Sequence, residues 1–125
     1  MEKPLILCYA LPEEDRLALA RFAKRFGADV RGVSPAAYSL PIAAVVGGGL
    51  EGVPTALVPE LPESMLIFAN FPEVMLDVFL DALRASSVRK VPLKAVVTAT
   101  NAAWRADELY RELCRERAAV RMSRK

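Results

Sequence analysis

LILCYALPEE, Leu5 to Glu14, returns sixty positions later as MLIFANFPEV, Met65 to Val74. Each stretch is an apolar run of strand length, then leucine or phenylalanine, then proline and glutamate leading into an apolar-periodic segment. Further on, VSPAAYSLPIAAVV (Val33 to Val46) has a counterpart in VTATNAAWRADELYREL (Val97 to Leu113). Self-similarity at a fixed spacing predicts an α/β domain of two tandem β-α-β-α repeats, forming one small four-stranded sheet flanked by helices.

Outward from these runs the elements can be placed. Leu5 to Tyr9 is continuously apolar rather than alternating, which predicts a strand buried on both faces. Pro12 opens a helix where its missing N–H does no harm, and Glu13, Glu14 and Asp15 suit the positive helix end. Leu17, Ala20, Phe22, Ala23 and Phe26 supply its inward stripe, Gly27 ends it, and Val30 to Val33 is the second strand. In the second half, Met65 to Phe68 is a strand and Pro72 to Ala85 a helix packing Val74 or Met75, Val78, Phe79 and Leu83. Lys94 to Thr98 is the last strand, and a helix near Ala106 to Val120 carries Leu109, Tyr110, Leu113 and Cys114 on one side.

Residues 40–46 read two ways. As a strand, LPIAAVV parallels VPLKAVV and the order becomes βαββαβ plus a final helix, a ferredoxin-like α+β sandwich. As a short helix with Leu40 and Pro41 in its first turn, the order is βαβα twice, with Tyr38-Ser39-Leu40 in register with Trp104-Arg105-Ala106. The second reading is preferred. The whole of 1–125 is then a single domain: a first repeat over 4–50, a Gly/Pro-rich connector over 47–63, a second repeat over 64–120 and a basic tail over 121–125.

Composition narrows the class. The chain has 125 residues, 54% of them hydrophobic, enough for a core that buries about two-thirds of the unfolded surface. The net charge of +2 is too small to imply a polyanionic partner, although residues 1–63 carry −2 and residues 64–125 carry +4. Cys8 and Cys114 stand far apart in apolar settings, which favours small core residues in a reducing cytoplasm. PLILCYAL is too short to span a membrane, and Gly32 to Leu50 is interrupted by prolines, serines and glycines, so a soluble cytoplasmic protein is expected.

Most chemistry-bearing patterns have a plainer explanation. Gly47, Gly49 and Gly52 satisfy G-x-G-x-x-G, yet Pro54, Pro59 and Pro62 follow where a phosphate-binding helix would have to run. Glu73, Asp77 and Asp81 form an acidic stripe that reads as a solvated face, with Arg84 near Asp81. Arginines alternate with glutamates at Glu108/Arg111, Glu112/Arg115 and Glu116 along the last helix, at spacings that stabilise an exposed helix. Histidine is absent, so acid–base chemistry would fall to carboxylates, Lys, Tyr and Cys. No metal site, cofactor or catalytic residue is assigned.

VPLKAVVTATNAAW, Val91 to Trp104, has the most residue-specific content. Thr98, Thr100 and Asn101 follow a strand and precede a helix, where open α/β sheets bind ligands, and Lys94 and Arg105 add positive charge. The structural alternative is that Thr100 or Asn101 caps the helix while Trp104 anchors it to the sheet.

This segment resembles a bacterial family known only as domain of unknown function 3783. Pro92, Leu93, Lys94, Ala95, Val96, Thr98, Thr100, Asn101, Trp104, Glu108 and Leu109 carry the likeness, and Phe71-Pro72-Glu73 stands in for the family's first helix start. The resemblance covers Met65 to about Glu116 and extends loosely to the first half. It departs at Arg105, where the family usually has Ser or Thr, so the resemblance shifts capping to Thr100 or Asn101. It implies a fold grouping and no mechanism.

The expected function is a non-catalytic protein-interaction or self-association module, with a homodimer or a partner protein as its counterpart. Two alternatives stand beside it. One is a small anionic-ligand sensor or enzyme using Lys94, Thr98, Thr100, Asn101 and Trp104; the other is RNA binding through the basic C-terminal helix. Neither a membrane nor nucleic acid is the expected partner.

Overall fold

Two five-residue strands, buried at every position, set the centre of the molecule. The computed structural model describes residues 3–48 and 60–123. β1 (Leu5–Tyr9) and β3 (Met65–Ala69) run antiparallel, with Leu7 opposite Ile67. β2 (Asp29–Val33) pairs in parallel with β1, and β4 (Leu93–Val96) in parallel with β3, so the mixed sheet has the order β2-β1-β3-β4. Strands covered on both faces have no place for polar side chains, which explains the continuous apolar runs. The edge strands carry Asp29, Arg31 and Lys94, and Pro92 precedes β4; such residues discourage further strand pairing.

Four helices cover the sheet, two per face. α1 (Glu13–Lys24) and α3 (Glu73–Ala85) close over Ile6, Cys8, Leu66 and Phe68 with Leu19, Ala23, Phe79 and Leu83. α2 (Ile42–Val46) and α4 (Ala106–Ser123) cover Leu7, Tyr9, Met65 and Ile67 with Ile42, Val45 and Leu109. Each of these latter helices follows a single 3₁₀ turn, Pro35–Ala37 and Asn101–Ala103. No helix among the described residues is long and apolar enough to cross a membrane.

The two strand-to-helix turns are built alike. Ala10 (φ 57) and Asn70 (φ 63) take left-handed backbone conformations two residues before Pro12 and Pro72. Both prolines are extended, one position ahead of the helix, and their carbonyls accept from the N–H groups of Arg16 and Leu76, each at 2.9 Å.

Of the two readings of residues 40–46 the helix holds: Ile42 and Val45 are buried while Ala43 is exposed, a spacing of three that a strand cannot produce. Other expectations shift on folding. The predicted stripe of α1 is displaced: Leu17 is 43% exposed, and Leu19 takes the buried place. Val74 and Val78 of α3 likewise point outward, at 77% and 54% exposure. At about 100° per residue, an arc centred on Leu19/Ala23 or Phe79/Leu83 leaves those positions facing away from it. β4 begins at Leu93 and ends at Val96, because the chain turns away after the Val97 N–H reaches the Phe68 carbonyl at 2.9 Å. Pro41 stands opposite Arg105 in an antiparallel bridge. Gly49 and Gly52 of the glycine pattern lie outside the described residues, and Gly47 ends α2.

Candidate functional site

The turn after β4 is held by its own polar groups. The Thr98 N–H donates to Asn101 Oδ1 at 2.8 Å, the Asn101 N–H donates to Thr98 Oγ1 at 3.1 Å, and Asn101 Nδ2 donates to the Val96 carbonyl at 3.0 Å. Asn101 is buried, whereas Thr98 and Thr100 are exposed. The Asn101 carboxamide is committed to the turn on both its oxygen and its nitrogen. Lys94 does not join this group: its side chain borders a separate cavity beside α3.

Trp104 and Arg105 join the halves of the molecule. The Trp104 carbonyl accepts from the Ile42 N–H at 2.9 Å, and the ring packs against the α2/α4 core. Thr100 makes no side-chain cap, and Asn101 serves the 3₁₀ turn. The start of α4 is instead tied by Glu108, whose Oε1 accepts from the Arg105 N–H at 3.0 Å, three residues back. That is the glutamate half of a capping box, and it works without a hydroxyl at position 105.

Residues 64–120 match the family described as Domain of unknown function (DUF3783). This part of the chain belongs to that family. The DUF3783 segment thus contains β3, α3, β4 and nearly all of α4, and the motif that carries the likeness forms the Val96–Asn101 tie together with the Trp104–Glu108 helix start. No curated protein and no solved structure matches the chain.

Sequence reasoning missed a second concavity, outside the DUF3783 segment. At the carboxyl ends of β1 and β2 lies an open cavity of about 410 Å³, bordered by Ala10, Arg16, Gly32, Ser34 and Glu60. Its charged groups already have partners. Arg16 Nε donates to Glu13 at 3.0 Å, which holds the Glu13 carboxyl below its ordinary range, and the Tyr38 hydroxyl donates to Glu60. Gly32 was the available signal: a Cβ there would sit 2.9 Å from Arg16 Cδ, so a glycine inside a strand marks a side chain crossing it. Cys8 also borders the cavity, but burial pushes its thiol up to about 12, against a slight opposing pull from Arg16. It is a protonated core residue, unsuited to nucleophilic work at neutral pH.

The outer surface of α1 and α3 is unlike the rest. α3 exposes Val74 and Val78 one turn apart, among Glu73, Asp77 and Asp81. Its neighbour on the same sheet face, α1, exposes Leu17 together with Arg21, Lys24 and Arg25. α3 is apolar and acidic over its first three turns, whereas α1 carries Glu13, Glu14 and Asp15 in its first turn and is basic only in its C-terminal half. On α4, by contrast, the arginines with described side chains are already paired: Arg105 with Asp107 and Glu108, Arg111 with Asp107, Arg115 with Glu112, and Arg117 with Glu63.

Proposed function

We propose that this chain is a non-catalytic self-association module, and that the outer face of α1 and α3 is its contact surface. The observation that carries this reading is the opposite charge of the basic C-terminal half of α1 and the acidic outer face of α3, two adjacent segments that each expose aliphatic side chains. A twofold contact between copies sets α1 of one against α3 of the other, so Leu17 meets Val74 and Val78 while Arg21 and Lys24 meet Asp77. Complementary charges of this kind fix register and speed encounter, and the aliphatic groups supply burial. Both sheet edges are short and charged, which directs association to the helical face rather than to strand addition.

The chemistry available supports a binding role over a catalytic one. The chain has no histidine, and its buried thiol is held protonated. Two free thiols, Cys8 and Cys114, fit a reducing cytoplasm. We also read the two halves as copies of one β-α-β-α unit. Supporting that are the matching left-handed turns at Ala10 and Asn70 and a strand register in which Leu7 faces Ile67 at the midpoint.

Sedimentation velocity across a concentration series tests the proposal. The chain should sediment increasingly as a dimer as its concentration rises to the order of 100 μM. Asp77→Arg or Val78→Asp should return it to monomer, and Arg21→Asp combined with Asp77→Arg should restore association. A wild-type chain that stays strictly monomeric over this range overturns the idea.

A further inference from the structure

Between the C-terminal half of α3 and β4 lies a cavity of about 130 Å³. Its floor is aliphatic, from Leu80, Leu83 and Val91, and its rim is cationic, from Arg84, Arg89, Lys90 and Lys94; no acidic residue lines it. We propose that this cavity binds a small amphipathic anion, a carboxylate carrying a ring-sized or branched apolar body, with Lys94 as its counter-ion.

Three of the four cations already have partners. Arg84 pairs with Asp81 at 3.0 Å and Arg89 with Asp15 at 3.4 Å. Lys90 Nζ donates to the carbonyls of Leu83, Arg84 and Ser86, which closes the C-terminus of α3 and fixes the ammonium in place. Lys94 differs. It has no hydrogen-bond or carboxylate partner among the described residues, and partial burial, with Arg84 and Lys90 nearby, pulls its pKa below the ordinary lysine value. A cation set among cations at the mouth of an apolar hollow is stabilised by an incoming anion, and neighbours already fixed by protein contacts need little ordering to receive one.

The size of the hollow selects the rest of the ligand. Its volume is close to that of an apolar cavity which takes up benzene, at roughly 150 Å³. A bare anion leaves the floor of Leu80, Leu83 and Val91 uncovered, and a neutral ring leaves Lys94 unpaired. Only a molecule with both parts uses the whole site. The cavity lies at the end of α3 and under β4, so this inference is separate from the association face.

The test is an amide-resolved NMR titration of the full chain with benzoate, run beside acetate, inorganic phosphate and benzyl alcohol. Benzoate should produce saturable shifts centred on Leu80, Val91 and Lys94, with acetate and benzyl alcohol at least ten-fold weaker. Lys94→Met should lower benzoate affinity ten-fold or more with an unchanged thermal melt, and Lys94→Arg should retain most of it. Acetate or phosphate matching benzoate would show charge screening alone, and benzyl alcohol matching it an apolar pocket alone; either result overturns the proposal. So does the absence of saturable shifts at these residues up to benzoate on the order of 10 mM. The wild-type titration maps the site directly, so it decides the matter even where a Lys94→Met chain fails to fold.

Discussion

Asn101 is the only buried amide side chain among the described residues, and its carboxamide spans the turn between β4 and α4. A buried amide is tolerated only when its donors and acceptors are matched, and removing it strands the groups it served. Asn101→Ala leaves the Thr98 N–H and the Val96 carbonyl without these partners, so it should cost about 2 kcal/mol in urea unfolding. Asn101→Asp keeps the acceptor but cannot donate to Val96, and should be impaired as well. Thr98→Ala, at an exposed position, should cost only about 0.5–1 kcal/mol. Cys8 makes a different prediction at the same scale. Its folded pKa, about 12, lies above the ordinary thiol value of 9.0, so above pH 9 the unfolded chain loses a proton that the folded chain keeps. Stability is therefore full below that pH and declines as pH rises toward 12. Burial shifts Tyr9 upward too, and adds to the same alkaline loss. Urea midpoints measured from pH 8 upward should fall steadily, and Cys8→Ala should flatten the first part of the decline. A flat profile through this range would contradict the burial of the thiol.

The elements show why the strand-to-helix turns repeat. A chain leaving an inner strand must reverse onto the sheet face within three residues, and both turns do so with a left-handed residue followed by an extended proline. Asn70 accepts that conformation readily; Ala10 carries a Cβ that crowds the backbone there. Ala10→Gly should therefore raise stability by about 0.5–1 kcal/mol, and Asn70→Ala should lower it by a similar amount, both read from thermal melts. Helix α4 shows a comparable economy at its start. Arg105 lacks the hydroxyl that would mark a cap in sequence, yet Glu108 reaches back to its N–H. The signal is the glutamate three residues on, which in sequence passes for one more surface charge. Glu108→Ala should cost about 0.5–1 kcal/mol, with fraying confined to the first turn of α4 in hydrogen exchange.

Across the whole molecule, Phe79 is where the α1/α3 layer closes. Its ring lies between 5.1 and 6.0 Å from those of Phe22, Phe26, Phe68 and Phe71, which ties α1, β3 and the turn before α3 to one point. Phe79→Ala should cost about 3–5 kcal/mol, a large part of the margin of a domain this size. Val78→Ala, one residue earlier and 54% exposed, should stay within about 0.5 kcal/mol in unfolding yet weaken the proposed self-association. That contrast separates folding from association. It also marks where local sequence signals stop being sufficient. The apolar runs at Leu5–Tyr9 and Met65–Ala69, the proline-glutamate helix starts and the Val91–Trp104 motif are local signals, and local signals determined the α/β class, the element order and the family of the second half. Which side of α1 and α3 faces inward, the antiparallel meeting of Leu7 with Ile67, and the removal of Lys94 from the Thr98–Asn101 turn were decided by the tertiary structure alone. Period and propensity act over a few residues, whereas the choice among outward valines, inward leucines and an isolated lysine depends on what packs against them from segments dozens of positions away.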